Sequence, residues 1–261
     1  MANSTNFITL YYVPSACSLV VHLALRHLDI PFNVVPLKFS PGEGGGWNLS
    51  AADGSFDHHT YRMLHPKSKV PGLRIPISAT GEAAVNLISN DSYKNGPLKL
   101  TGSDASDLTN AAFLTEMPAI LDFIGSLTPA GIDLLGGEAA SLRRARVMEW
   151  TSWLIGHVQS INWTDMRSDL EEVRKRGLQA SRVSYQRIND LLVDREFAVG
   201  DQVTVADFNL YCWYRTGQFY KVGDLEKEWP AFAAHAKRIE QLAAVRLALE
   251  DEGLTSAFAK E

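Results

Sequence analysis

The sequence has little cysteine, no excess of positive charge and no long apolar run, and each shortage excludes a class of protein. Its 261 residues include two cysteines, Cys17 and Cys212, which are too few for a disulfide framework or a cysteine-rich zinc site. Lysine and arginine number 25 against 30 acidic residues, for a formal net charge of -5. The broad positive field that attracts nucleic acid or an anionic membrane is therefore lacking. We predict no metal site, no nucleic-acid partner and no membrane partner.

The first six residues are polar and lack the basic start and apolar core of a secretory signal. No apolar run reaches the length of a membrane-spanning helix. These features favour a cytoplasmic protein. Hydrophobic residues make up 46% of the chain, enough to bury a core, and the length suits two domains of ordinary size.

The first half of the chain alternates between strand-like and helix-like patterns. A β-branched and aromatic run, a helical apolar period and a second short strand follow one another at 7–12, 19–26 and 32–37. We predict a glycine- and serine-rich mobile loop at 38–57, and then a short helix and a third strand after Pro71. A long, poorly patterned insertion, a fourth strand and a helix are expected at 78–110, 111–116 and 117–127.

The second half shows only helical periodicity after a linker rich in proline and glycine at 128–137. Helices are predicted at 140–161, 168–192, 205–214 and 229–244. The predicted fold class is therefore an α/β domain followed by an all-helical domain, with boundaries at 1–128 and 138–261.

The first motif that suggests chemistry is Tyr12–Ser18, where a strand ends and a helix begins. A helix N-terminus offers unpaired N–H groups and a positive dipole end, which stabilise a thiolate. Ser15 could donate its hydroxyl to a bound thiolate, and Cys17 could itself be a nucleophile. Both residues also have structural interpretations, Ser15 as a helix cap and Cys17 as a small buried side chain.

Three further motifs follow in order along the chain. The Val70-Pro71 pair precedes a strand and is a candidate for a cis bond in a tight turn. Glu116 and Met117 stand where a strand meets a helix, so the helix N–H groups could hold a carboxylate and Glu116 could pair with an ammonium. Thr204 and Asp207 have the spacing of a capping box, which is a structural motif.

Taken together, these motifs resemble the glutathione transferase superfamily over both halves of the chain. The run YYVPSACSL resembles the start of beta-class and zeta-like members, HPKSKVPGL resembles N-P-x-x-x-V-P-x-L, and FLTEMPAIL resembles L-x-E-S/G-x-A-I. FAVGDQVTVADF is similar to the capping box of the family's helical domain. The resemblance implies a thioredoxin-like N-terminal domain that binds glutathione and a helical domain that binds a second substrate.

The resemblance also implies roles for individual residues. Ser15 or Cys17 would act on the glutathione sulfur, and Pro71 would be cis. Val70 would pair with the cysteinyl backbone, Lys69 would lie near the glycine end, and Glu116 with the Met117 N–H would hold the γ-glutamyl group. The implied glutathione-binding residues are Tyr12, Lys69, Val70, Pro71, Glu116 and Met117. Trp153, His157 and Tyr214 are candidates for the wall of the acceptor pocket, and a homodimer is expected.

The sequence departs from the family pattern at several points. Met117 replaces the usual Ser or Gly, and Gln159 and Ser160 stand near the place of a beta-class His-Lys pair. We expect an enzyme that activates glutathione, its co-substrate, for attack on a small, apolar electrophile in detoxification or secondary metabolism. Three alternatives stay open: thiol-disulfide exchange through Cys17, isomerisation or ether cleavage of one dedicated metabolite, and glutathione binding without catalysis.

Overall fold

The fold was examined in a computed structural model, which describes residues 7–42, 47–78, 80–85, 87, 97–100 and 102–259. Its first half is built around a mixed sheet, because apolar and β-branched runs alternate with turn residues there. The strands of this sheet are β1 (Ile8–Tyr12), β2 (Phe32–Pro41), β3 (Trp47–Ala51), β4 (Gly72–Pro76), β5 (Leu98–Lys99) and β6 (Ala111–Thr115).

The sheet has the strand order β3-β2-β1-β4-β6, and β5 pairs with β2 beside β3. β1 and β2 are parallel, with Leu10 opposite Val34, while β4 runs antiparallel to both β1 and β6. The parallel pair is joined by a helix, as parallel strands require. This arrangement confirms the predicted β-α-β unit and the two predicted strands that follow it, which correspond to β4 and β6.

The sheet is wider than the sequence predicts. The glycine- and serine-rich segment 38–57 was expected to be a loop, but β2 continues to Pro41 and β3 pairs with it antiparallel. The prediction was wrong because Leu37, Leu49 and Ala51 bury their side chains in the core of this half, which outweighs the turn-like composition. The glycines at 44–46 lie outside the described residues.

The predicted insertion at 78–110 is ordered where the structure describes its last part. β5 pairs with Asn33 and Val34 of β2, and a 3-10 turn follows at Gly102–Ala105. Ala105 is fully buried, and its carbonyl oxygen accepts a 2.6 Å hydrogen bond from the Tyr11 hydroxyl. The expectation of an unstructured insertion is therefore wrong for this part, because its apolar residues complete the core over one face of the sheet.

Helices account for most of the rest of the described chain. They are α1 (Ser18–His27), α2 (His58–Leu64), α3 (Met117–Gly125), α4 (Pro129–Leu134), α5 (Leu142–Trp153), α6 (Thr164–Met166), α7 (Glu171–Leu192), α8 (Val205–Phe219), α9 (Leu225–Glu228), α10 (Pro230–Glu240) and α11 (Ala243–Asp251), with a π-helical stretch at Leu154–Trp163.

Helix caps explain several boundaries that the sequence did not predict. The supposed linker at 128–137 contains α4, because the Thr128 hydroxyl accepts from the Gly131 N–H at 3.0 Å and Pro129 is tolerated in the first turn. Ser141 caps α5 in the same way. The predicted capping box before α8 is confirmed, since the Asp207 carboxylate accepts from the Thr204 N–H at 2.8 Å.

The chain divides into two compact units. The first comprises residues 1–123 together with 247–254, and the second comprises 124–246 together with 255–261. The first unit therefore includes most of α11 and the turn that follows it. The described residues contain no helix with the length and apolar character needed to cross a membrane.

Candidate functional site

In the turn between β1 and α1, Ser15 is exposed and Cys17 is half-buried. Ser15 is exposed and has a φ of 62°, a left-handed conformation that is uncommon for residues other than glycine. Cys17 occupies the N-cap position of α1, although its side chain makes no capping hydrogen bond, so the structural interpretation of Ser15 as the helix cap is wrong. The first turn of α1 contains no acidic side chain, so no carboxylate of that turn offsets the positive end of the helix dipole.

Two buried polar side chains, those of Ser18 and Glu252, hold this turn in place through hydrogen bonds to its backbone. The buried Ser18 hydroxyl accepts from the Val13 N–H at 3.3 Å and lies 3.2 Å from the Val13 carbonyl oxygen, to which it donates. The Ser15 N–H donates to Oε2 of Glu252 at 2.9 Å. The backbone N–H of Ser15 is thus used within the protein, and the exposed hydroxyl is the group of this residue that can reach a ligand.

Glu252 belongs to a buried network of charges. Its Oε1 lies 2.9 Å from Nδ1 of His22, whose Nε2 lies 3.0 Å from Asp251, and Asp251 also accepts two 2.7 Å hydrogen bonds from Arg26. Because both ring nitrogens of His22 face carboxylate oxygens, both carry protons. Burial alone would lower the pKa of His22, but the bonds to Asp251 and Glu252 raise it above its ordinary value.

The same network affects Tyr12, whose ring meets that of His22 edge-on with centroids 5.8 Å apart. Burial, together with the charges of Glu252 and Asp251, raises the pKa of Tyr12 to about 12. Its hydroxyl therefore stays protonated at neutral pH. A protonated phenol can donate a hydrogen bond but cannot act as a base.

The turn after β1 and the loop before β4 meet at Cys17 and Val70. The Cys17 thiol donates to the Val70 carbonyl oxygen at 3.1 Å. The Val70–Pro71 peptide bond is cis, as the resemblance implied. A carbonyl acceptor stabilises the protonated thiol, whereas the helix N-terminus stabilises the thiolate, so Cys17 experiences two opposed influences.

The loop that carries Lys69 and Val70 is also held by Tyr61 of α2. The Tyr61 hydroxyl donates to the Lys69 carbonyl oxygen at 2.7 Å, and the Tyr61 side chain is fully buried. In the same loop Ser68 has a φ of 48°, and its N–H donates to the His65 carbonyl oxygen at 2.7 Å. The side chains of Lys69 and Lys67 are exposed.

Glu116 lies at the junction of β6 and α3. It has a φ of 72°, and its carboxylate is 2.5 Å from Nζ of Lys67, both side chains being more than half exposed. Non-glycine residues with such φ values concentrate at ligand sites. Met117 follows as the first residue of α3, and its side chain is buried.

The backbone N–H groups of Val70 and Met117 remain available to a ligand. In the described part of the chain, neither the Val70 N–H nor the Met117 N–H makes a hydrogen bond. Val70 is half-buried, and an unpaired N–H in such a position carries a free-energy cost that a ligand acceptor would remove. These are the two N–H groups to which the family resemblance assigns ligand contacts.

The candidates for an acceptor pocket lie in the helical unit and differ in exposure. Trp153 ends α5, where it lies edge-on to Trp150 at 5.6 Å and beneath the guanidinium of Arg187 at 5.5 Å. These side chains line a groove of about 620 Å³. His157 is exposed, whereas Tyr214 is fully buried against Phe232 and Phe258.

The sequence interpretation missed Tyr61, His22 and Glu252. Tyr61 and His22 carried one weak signal each, a polar atom within an otherwise apolar helix face. Glu252 carried none, because its partner Ser15 lies 237 positions earlier. Among the described residues, no cluster of three or more histidine, cysteine or acidic side chains could hold a metal ion.

Comparison with known proteins was made in sequence and in structure. The family described as "Glutathione S-transferase, C-terminal domain" matches residues 148–243. Glutathione S-transferase GstA of Escherichia coli O157:H7 is 24% identical over 246 residues, which cover 94% of this chain and 98% of that protein.

Solved structures show the same architecture. The bacterial transferase BphK, in a ternary complex, superposes with a TM-score of 0.69 at 22% identity and covers 94% of this chain and 100% of its own. A sphingomonad glutathione S-transferase complexed with glutathione gives 0.65 at 25% identity, over 95% and 100% of the two chains. A glutathione S-transferase from Xylella fastidiosa gives 0.66 at 25% identity over the same shares. The predicted thioredoxin-like domain followed by an all-helical domain is thereby confirmed, and residues 148–243 are similar to the C-terminal domain of glutathione S-transferases.

Proposed function

We propose that this protein binds glutathione in its first unit and transfers the glutathione sulfur to a small electrophile. The observation that carries this proposal is the 3.1 Å contact between Cys17 and the Val70 carbonyl. It places the α1 N-terminus directly against the loop whose unpaired N–H can bind a peptide backbone. Relatives with bound glutathione, such as the sphingomonad enzyme, support glutathione as the ligand.

Each part of glutathione has a partner of matching chemistry in this unit. The Val70 N–H would pair with the cysteinyl backbone, and the exposed Lys69 would attract the glycine carboxylate. Glu116 would bind the γ-glutamyl ammonium, and the Met117 N–H at the start of α3 would bind the carboxylate of the same group. Because the Met117 side chain offers no hydroxyl, the γ-glutamyl carboxylate would be bound only by the Met117 N–H and by the positive end of the α3 dipole.

Thiol activation would combine Ser15 with the N-terminus of α1. A free thiol has a pKa near 8.5, so most of it is protonated at pH 7. The exposed Ser15 hydroxyl would donate a hydrogen bond to the sulfur, and the helix dipole would add to this stabilisation. The thiol proton leaves to solvent, the sulfur forms a bond to the electrophilic carbon, and the leaving group departs with the bonding electrons.

Turnover of an activated aryl halide with glutathione tests the proposal directly. The wild type should catalyse conjugation, and Ser15→Ala should lower kcat by about tenfold to a hundredfold, the range expected when one hydrogen bond to a charged group is lost. Ser50→Ala, in strand β3, serves as a matched serine control. Conjugation at the wild-type rate in Ser15→Ala would remove Ser15 from the mechanism.

Thiol-disulfide exchange through Cys17 is the second candidate. Its support is the position of Cys17 at the N-terminus of α1, beside the positive end of the helix dipole. In this reaction the Cys17 thiolate attacks the glutathione sulfur of a mixed disulfide and the other partner leaves as its thiolate. A second glutathione thiolate then attacks the Cys17–glutathione disulfide, which gives oxidised glutathione and restores the Cys17 thiolate. Deglutathionylation that persists in Cys17→Ser would contradict this candidate.

The acceptor pocket and the assembly state belong to the same proposal. Trp153 and His157 remain the proposed acceptor contacts, whereas the fully buried Tyr214 would only support the pocket wall from inside the core. The groove beside Trp153 supports an aromatic partner. Retention on immobilised glutathione without conjugation, exchange or isomerisation would favour a binding protein.

We propose a homodimer from the family resemblance, and sedimentation equilibrium should give twice the 28.8 kDa chain mass.

A further inference from the structure

The helix α2 carries one hydroxyl that reaches the loop before β4. Tyr61 is fully buried, and its ring lies near those of Tyr11, Phe56 and His65, with centroids 5.9 to 6.3 Å away. Burial raises the pKa of Tyr61 well above its ordinary value, so the hydroxyl keeps its proton. Held by aromatic packing on several sides, this hydroxyl has a fixed position and a fixed role as a donor.

The Tyr61 hydroxyl binds the chain before the Val70–Pro71 pair and lies close to it after the pair. Before the pair it donates to the Lys69 carbonyl oxygen at 2.7 Å. After the pair it lies 3.3 Å from the place that a Cβ atom would occupy on Gly72. The ring of Phe113 would be still closer to that atom, at 2.5 Å, so glycine is needed there for the loop to approach the aromatic cluster.

Successive carbonyls of this loop are therefore bound by two different helices. Tyr61 of α2 holds the carbonyl of Lys69, and Cys17 at the start of α1 holds that of Val70. Because a peptide group is planar, fixing the Lys69 carbonyl also fixes the direction of the N–H that belongs to the same peptide unit, which is the Val70 N–H. The Val70 N–H is the donor that makes no hydrogen bond within the described part of the chain.

We propose that Tyr61 is a positioning residue for glutathione binding, which acts by aiming the Val70 N–H at the ligand backbone. This inference rests on the proposed function, since it requires a peptide-like ligand at Val70. Tyr61 itself does not touch the ligand. Its loss would let the Lys69–Val70 peptide unit rotate, and the ligand would then have to order that peptide at the expense of binding free energy.

Tyr61→Phe removes the hydroxyl oxygen and leaves the ring. We expect the dissociation constant and KM for glutathione to rise about fivefold, the equivalent of one neutral hydrogen bond. kcat at saturating glutathione and KM for the electrophile should stay within about twofold of wild type. If Tyr61 only stabilised the fold, the substitution would lower the melting temperature but would not raise KM for glutathione while leaving kcat unchanged.

Tyr11→Phe provides the matched control. Tyr11 is equally buried in the same aromatic cluster, but its hydroxyl donates to the Ala105 carbonyl oxygen at 2.6 Å and not to the loop. Both variants should lose a similar amount of thermal stability, and Tyr61→Phe alone should weaken glutathione binding. Amide hydrogen exchange of the glutathione-free protein should be faster at Val70 in Tyr61→Phe only.

The outcomes separate this inference from the proposed function. Wild-type protein that does not bind glutathione would overturn the proposed function. Wild-type protein that binds it, with Tyr61→Phe binding equally well, would overturn the role of Tyr61 alone. Equal weakening by Tyr61→Phe and Tyr11→Phe would also overturn it, because the effect would then come from the cluster as a whole.

Discussion

Glu116 combines a strained backbone with an exposed ion pair, and the two features have different consequences. The pair with Lys67 is solvent-screened, so it contributes little to stability. The left-handed backbone holds the carboxylate where strand β6 ends and α3 begins. The residue is therefore better explained by a ligand than by the stability of the fold.

Glu116→Gln should accordingly separate binding from stability. We expect the free energy of unfolding to change by less than about 0.5 kcal/mol, as is usual for exposed pairs. The KM for glutathione should rise about tenfold, because a charged acceptor for an ammonium becomes a neutral one. Steady-state kinetics and urea unfolding measure the two effects.

Glu149→Gln is the matched control for this change. Glu149 forms a comparable exposed pair with Arg146 at 2.7 Å in the helical unit. Its removal should leave both stability and glutathione KM near the wild-type values. An equal rise in KM for both variants would show that net charge, and not a contact at Glu116, controls binding.

His22 links protonation to the stability of the first unit. Its pKa is raised above the ordinary 6.5, so its stabilising contribution is fully present below that pH and is lost as pH rises through the folded value. The groups facing it are Asp251, Glu252 and Tyr12, with Arg26 on the far side of Asp251.

We therefore expect His22→Gln to destabilise the protein most at mildly acidic pH. The loss should be about 3 kcal/mol near pH 6, because the buried Glu252 carboxylate loses its cationic partner. The difference from wild type should shrink as pH rises through the raised pKa. Guanidinium unfolding at several pH values measures this trend, with exposed His59→Gln as the control. A difference that grows with pH would contradict the assignment of a charged His22.

At the scale of elements, local signals were predictable and distant partners were not. β1, α1 and the capping box at Thr204 and Asp207 were predicted, because period, turn residues and cap spacing are all read within a few positions. β3 was missed because a glycine-rich composition masked side chains that become buried only when β2 pairs with them. The same limit applies to the proposed site, where motifs suggest Ser15 and Val70 but not Tyr61.

The loop between α2 and β4 contains a residue that is poorly suited to its conformation. Ser68 has a φ of 48°, and its hydroxyl oxygen is buried without a partner in the described part of the chain. Glycine adopts such angles without steric cost. We expect Ser68→Gly to stabilise the protein by about 1 kcal/mol after allowing for the greater entropy of the unfolded chain. Differential scanning calorimetry would record this gain as a higher melting temperature.

Ser55→Gly makes a stringent comparison. The hydroxyl oxygen of Ser55 is also buried without a partner in the described part of the chain, but the φ angle of Ser55 is not positive. Glycine there should lower stability by about 0.5–1 kcal/mol. Stabilisation by both changes would mean that the buried hydroxyls, and not the backbone of Ser68, are responsible.

At the scale of the whole molecule, the last described residues are bound into the helical unit by a buried glutamate. The Glu240 carboxylate accepts from the Tyr211 hydroxyl at 2.5 Å, from the Ala257 N–H at 2.9 Å and from the Ser256 hydroxyl. The ring of Phe258 stacks on Tyr214 with centroids 5.2 Å apart. The C-terminal residues are thus packed against this unit while remaining partly or fully exposed.

A chain that ends at Leu254 should therefore be less stable than the full chain. We expect a loss of about 2–4 kcal/mol, because Glu240 would keep one of three hydrogen-bond partners while much of its carboxylate stays buried. Urea unfolding followed by tryptophan fluorescence would measure it. A chain that ends at Ala259 retains these contacts and should match the full chain. Equal stability of the two truncated forms would refute the role given to Glu240.

The bond between Ser15 and Glu252 has a consequence for how the protein is made. Ribosomes produce the chain from its N-terminus, and domains generally begin to fold in that order. The turn that bears Ser15 is synthesised 237 positions before the carboxylate that accepts from its N–H. Nascent chains therefore lack this hydrogen bond until Glu252 has been added. Products that terminate before Glu252 should hold the turn less firmly.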